Sequence, residues 1–288
     1  MTALDPGSIS RSPSRSNPHR RSHAPFLLVP ILLILVTFLF WYQTWFGRRL
    51  TSREMGEYLG NTSVPHKTQH ALAQMAERMV QGDTSVKQWY PNLLALARNS
   101  EPEFRLTAAW VMGQDNSSQE FHQALLDLLH DPEPAVRWNA ALALVRFGDP
   151  SGEPQLSRML QPYTVLSPRG GSIHFVVRRG DAVRTGGIIA RLTAGPAQRE
   201  EVRSPLSGTV EALKVPEGAN VAPNDALAVL SPGEDQVWES LRGLYFVGNR
   251  SDLEAIQNYL ESTPGAPQRV REQAALTMQA IQARSAAP

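Results

Sequence analysis

The 288-residue chain contains no cysteine. Disulfides, thiol catalysis, cysteine-based zinc sites and covalently attached c-type haem are therefore excluded together. Lysine is almost absent as well. Lys67, Lys87 and Lys214 are the only ones, and arginine supplies nearly all the remaining positive charge. A dominant charge of either sign is missing too: 28 basic residues face 27 acidic ones, for a formal net charge of +1. No global field then points to nucleic acid, and the interleaved aromatics that single strands stack on are lacking. There is no glycine-rich phosphate loop, no G-x-S-x-G elbow and no H-E-x-x-H pair. No small-molecule substrate is evident.

What the chain does have begins with a strongly biased N-terminus. Residues 1–23 are rich in Ser, Pro, Arg and His without apolar periodicity, the composition of a disordered basic tail. Residues 24–47 then carry no charged side chain. That run is long enough for a transmembrane helix. It closes on Trp41, Tyr42, Trp45 and Phe46, as an aromatic belt does. A cleaved signal peptide would have a shorter apolar core and a small-residue cleavage site. Arg11, Arg15, Arg20 and Arg21 precede the run, and Arg48, Arg49 and Arg53 follow it. The expectation is a single-pass anchor with a cytoplasmic N-terminus, the lipid bilayer as a partner, and a periplasmic head.

Residues 48–65 read as a linker, and 66–161 as helical. Pro102-Glu-Phe104-Arg105-x-x-Ala108-Ala109-x-x-Met112 is matched by Pro134-Ala-Val136-Arg137-x-x-Ala140-Ala141-x-x-Leu144. The step is 32 residues, from position 105 to 137. Val270-Arg271-x-x-Ala274-Ala275-x-x-Met278 states the motif a third time, within the helical stretch 233–284. There Ser251-Asp-Leu-Glu254 has the form of a capping box. Small alanines let paired helices approach closely. Arg105, Arg137 and Arg271 recur with the repeat, so they are assigned a structural role, bonding carbonyls or carboxylates between repeats. The Asp131-Pro132 and Asp149-Pro150 turns, the arginine and the Ala-Ala pair together resemble HEAT repeats of the short bacterial type.

Between the helical stretches, residues 162–232 form a doubled β-pattern. Ser167-Pro168 falls on Ser204-Pro205, Gly171 on Gly208, Gly180 on Gly218, Val183 on Val221 and Ala190 on Ala228. Short apolar runs between Gly, Pro and Asn turns predict strands in two hairpin-rich halves that bury their apolar faces together. Ser204-Pro205-x-Ser207-Gly208-Thr209-Val210, Val215-x-Glu217-Gly218-x-x-Val221 and Leu227-Ala228-x-Leu230 resemble the biotinyl/lipoyl-like barrel-sandwich hybrid, shared by cofactor carriers and membrane-fusion proteins. The resemblance implies a carrier lysine on the hairpin between the halves, in a slot occupied here by Ala197. The expectation is nevertheless no cofactor, because no lysine lies between Lys87 and Lys214. Membrane-fusion proteins extend a long helical hairpin from the same point, and the stretch 193–203 is too short for one.

Other candidates are weaker. His66 and His70 stand at i, i+4 but lack a third ligand for a metal. Ser204 and His174 have no spacing that supports a nucleophile and base. Arg169, Arg178, Arg179, Arg184 and Arg199 make the first β-half basic, a candidate docking surface for anionic lipid or an acidic partner. The sequence thus predicts an α+β multidomain chain: a transmembrane helix, then an α-solenoid with an inserted all-β barrel-sandwich hybrid module. The expected function is a non-catalytic scaffold or accessory subunit in a bacterial inner-membrane complex, with other membrane or periplasmic subunits as partners. The alternatives are a membrane-fusion-like transport adaptor and, third, an enzyme or carrier component such as a HEAT-like lyase.

Overall fold

Short polar side chains set where the helices start. The computed structural model describes residues 31–38, 48–195 and 199–286. Within it Asp83, Asn99, Asp115, Asp131 and Asp149 each accept, through Oδ1, the backbone N–H two residues on, at 2.7–3.0 Å. Such turns occupy a backbone donor that a helix start leaves orphaned. The first four fall at an even step of 16 residues (99 − 83, 115 − 99, 131 − 115). Two such steps make the 32-residue repeat.

The helices between these turns are α1 (Ser52–Gly60), α2 (Pro65–Val80), α3 (Tyr90–Leu96), α4 (Pro102–Met112), α5 (Gln119–Leu128), α6 (Pro134–Arg146) and α7 (Glu153–Arg158). Proline opens α2, α4 and α6 at a position where its missing N–H costs nothing. The expected linker over 48–65 is corrected by α1. Thr51 and Glu54 close a capping box there, and Leu50, Met55 and Leu59 join the core. The 24–47 run lies outside the described residues except for 31–38, which are helical and exposed. The tail 1–23 and Ala197 also lie outside them. No helix among the described residues is long and apolar enough to cross a membrane.

Among the described residues the β-module has eight strands: β1 (Tyr163–Leu166), β2 (Gly171–Phe175), β3 (Ala182–Val183), β4 (Ile188–Thr193), β5 (Arg199–Arg203), β6 (Gly208–Leu213), β7 (Asn220–Val221) and β8 (Ala226–Pro232). They form two antiparallel four-stranded sheets, ordered β1-β8-β6-β3 and β5-β4-β2-β7. The halves are exchanged between the sheets, so each sheet draws two strands from each copy of the repeat. Ile173, Ile189, Leu192, Val210, Leu227 and Leu230 meet between them.

The Ser-Pro pairs have a mechanical reason. Ser167 and Ser204 are buried, and their hydroxyls donate to the carbonyls of Arg169 and Leu206, at 2.6 and 2.5 Å. Each backbone then bonds the turn of the other half. Ser167 pairs with Asn224 and Asp225, and Ser204 with Gly186 and Gly187.

After β8 come α8 (Glu234–Val247), α9 (Asp252–Ser262) and α10 (Gln268–Ala286). Val237, Leu241, Leu244, Ile256, Val270 and Ile281 bury themselves in one cluster with Ala141, Leu156 and Leu160. These helices therefore continue the stack begun by α1–α7. The chain enters the module at β1 and leaves at β8, and those two strands are hydrogen-bonded neighbours. The capping box expected at Ser251 does not form. Ser251 adopts helical dihedrals without a side-chain cap, and Asn249 Oδ1 instead accepts from Ser251 N at 2.8 Å.

Candidate protein-binding groove

The repeated arginines act where the repeat places them. Arg105 Nη1 bonds the carbonyls of Asn99 and Ser100, and Arg137 Nη1 those of Asp131 and Pro132, all at 2.6–2.9 Å. Arg271 bonds the carbonyl of Ala266. In each copy the guanidinium closes the turn that precedes its own helix. Arg105 also forks onto Asp131 of the next repeat, at 2.6 and 2.9 Å, whereas Arg137 meets Gln155 at 3.4 Å.

The same relation recurs with other donors. Tyr90 Oη lies 2.6 Å from Asp115 Oδ2, and His122 Nε2 lies 2.6 Å from Asp149 Oδ2. Asp115 and Asp149 thus serve their own turns with one oxygen and the preceding repeat with the other, and Asp131 does both through Oδ1 while its Oδ2 also meets Arg105. Burial pushes Asp115 and Asp149 up, but hydrogen bonds from Ser117 and Tyr90, and from Ser151 and His122, hold both below the usual range. Burial, reinforced by Asp115, raises the Tyr90 hydroxyl. This ladder was not read from the sequence, although the even Asx spacing would have revealed it.

The candidate docking arginines do not form one patch. Arg199 pairs in register with Thr193, and Thr193 with Ser172, at one end of the sheet. Arg169 reaches Glu200 at 2.6 Å at that same end. Arg178 and Arg179 lie on the loop that leaves β2 beyond Phe175, at the other end, and Arg184 follows β3. His174 bonds Glu217 at 3.0 Å, and the Ser204 hydroxyl is committed to Leu206 O, so the two do not form a nucleophile and base. His70 contacts Gln74 at 3.0 Å. No group of three metal-ligating side chains occurs among the described residues.

Two features outside those candidates stand out. The first is the seam between stack and module. Leu206, from the turn before β6, is buried against Ala135 and Met159, with Leu106, Trp138 and Tyr163 around them. Beside it, Gln236 of α8 ties the end of α7 to the following helices through a buried hydrogen bond to Met159 O at 3.2 Å. The module is clamped onto the helices.

The second is a trough across the stack, a cavity of about 410 Å³. Its floor is α6, with Trp138, Leu142 and Val145. Its walls are Trp110 of α4, and Gly243 and Phe246 of α8. Small residues bring these helices together: a Cβ on Gly113 would stand 2.9 Å from Ala143 Cβ, and one on Gly243 would stand 3.5 Å from both Leu142 Cδ2 and Val145 Cγ2. Trp110 is 46% exposed and Phe246 64%, although large aromatics usually bury most of their surface.

The comparisons with known proteins agree with this architecture. A family model for HEAT repeats matches residues 90–165, and the model described as "Biotin-requiring enzyme" matches residues 164–230. The chain carries a HEAT-repeat region followed by a biotinyl/lipoyl-like domain. No curated protein matches it. The HEAT match stops before the third copy of the motif, at Arg271.

Proposed function

We propose that the chain is a non-catalytic scaffold or adaptor subunit that holds other proteins together at a membrane. HEAT repeats and a biotinyl/lipoyl-like domain support the interaction role, since solenoids offer extended binding surfaces. The observation that carries the reading is the seam. A swinging-arm carrier domain must move between active sites, whereas here Leu206, Met159 and Ala135 fix the module to the stack. The lysine slot is occupied by Ala197, and lysine is absent between 87 and 214. The uncharged run 24–47 supports membrane anchoring, with the head on the periplasmic side of a bacterial inner membrane and neighbouring subunits there as partners. The anchor together with the β-module also supports a transport-adaptor role, although the β4–β5 connection is too short for the helical hairpin of membrane-fusion proteins.

The test is purification of the full chain from its native membrane in mild detergent. A scaffold brings down a fixed set of subunits in constant ratio. An exporter or outer-membrane channel in that set selects the adaptor form. Recovery of the chain alone, from both detergent and native nanodiscs, overturns the reading.

A further inference from the structure

The trough between α4, α6 and α8 has chemistry that defines what fits it. Its floor is largely apolar: the Trp138 indole N–H is spent on Ser240 Oγ at 3.0 Å, and the Asn139 amide donates to Ala135 O at 2.9 Å. Its volume of about 410 Å³ falls within the ~300–1,000 Å³ of ordinary ligand pockets. The two arginines that line it differ in partners. Arg242 faces Glu239 at 3.4 Å and lies over the Trp238 ring at 4.8 Å. Arg146 bonds only neutral oxygens, Gln114 Oε1 at 2.8 Å and Gly113 O at 3.4 Å. One guanidinium beside the trough therefore has no carboxylate of its own among the described residues. An apolar seat beside an uncompensated cation is complementary to an apolar side chain beside an anion.

We propose that this trough seats a segment of a partner protein in which a large apolar side chain stands next to an acidic one. The apolar side chain fills the space between Trp110 and Phe246, and the carboxylate pairs with Arg146. Aromatic and arginine anchors of this kind carry most of the energy in protein interfaces. The inference rests on the scaffold reading and gives that reading a site and a partner chemistry.

The experiment uses the full chain in nanodiscs and two short labelled peptides of identical leucine and tryptophan content. One carries glutamates at the flanking positions and the other carries lysines. Fluorescence anisotropy is expected to give the glutamate peptide an affinity about tenfold higher. Arg146→Glu reverses the preference, and Trp110→Ala with Phe246→Ala weakens both peptides about tenfold or more. Equal binding of the two peptides, no binding of either, or a preference unchanged by Arg146→Glu overturns the proposal. So does concentration-dependent self-association that Trp110→Ala with Phe246→Ala abolishes, which would assign the trough to a second copy. Circular dichroism of the variants separates these outcomes from misfolding. Recovery of the chain without partners from native membranes bears on the scaffold reading, whereas peptide selectivity bears on the trough, so the two failures are distinguishable.

Discussion

Arg105 and Asp131, on successive repeats, face each other in a two-pronged contact, with Nε 2.6 Å from Oδ2 and Nη2 2.9 Å from Oδ1. Their side chains are 12% and 5% exposed. At that burial the pair is not a surface ion pair of little worth; removing one partner strands a charge.

Arg105→Ala is therefore expected to destabilise the stack by about 3 kcal/mol, because Asp131 loses its counter-charge. Arg137→Ala removes only bonds to neutral acceptors and is expected to cost about 1 kcal/mol. Urea denaturation followed by circular dichroism measures both. Equal losses for the two variants would remove the special role given to the Arg105–Asp131 fork.

Glu153 at the start of α7 is pushed up from 4.5 to about 7 by burial, then by its hydrogen bond and repulsion with Asp252 of α9. Asp252 is itself buried. A raised folded-state value means the folded chain holds the proton more tightly than the unfolded one. The stability this contributes is fully present below about pH 4.5 and is lost as pH rises through about 7. Thermal melts should show the loss, on the order of 1–2 kcal/mol after solvent screening. Glu153→Gln should flatten it. A melt profile in which wild type and Glu153→Gln have the same slope between pH 4.5 and 7 would refute the assignment.

At Gly208 an added Cβ would lie 2.2 Å from the carbonyl oxygen of Ser231, on the paired strand β8. Backbone cannot yield as a flexible side chain can. Gly208→Ala is expected to cost about 1–3 kcal/mol or more. Gly265→Ala serves as the control, since nothing lies within 4 Å of its Cβ. Similar melting temperatures for the two variants would contradict the close approach of β6 and β8.

Leu206→Ala opens the seam. The expected loss is about 2–3 kcal/mol in the lower part of the range for buried leucines. Hydrogen exchange should quicken at β1 and at the Ser204–Gly208 turn while the interior of α2 stays protected. If those segments keep wild-type exchange, the module is held by something other than Leu206.

Much of this architecture was legible because it repeats. Arg105, Arg137 and Arg271 announce themselves by recurring in one frame, and Ser167-Pro168 over Ser204-Pro205 marks the two halves of the module. Features defined by a single pairing across the chain were not legible. Glu153 and Asp252 lie on opposite sides of the inserted module, so nothing local in either segment points to the other. Arg178 and Arg199 look adjacent in composition, but strand register sends them to opposite ends of one sheet. Trp110 carries no such signal, since only the packing of α4 places it on the face that the buried Ala108 and Ala109 do not share. The linker reading at 48–65 failed because a nine-residue helix leaves a faint periodic signal, though Thr51 and Glu54 are a legible start.

The adjacency of β1 and β8 has a consequence for the order of assembly. Ala141, Leu156 and Leu160 leave the ribosome before the module, while Val237, Leu241 and Leu244, which cover them, leave after it. The nascent helical layer therefore keeps an uncovered apolar edge while strands β1 to β8 are synthesised, a period in which aggregation competes with folding. Because the entry and exit strands β1 and β8 are hydrogen-bonded neighbours, closure of the module shortens the loop that α8 must close to reach that edge.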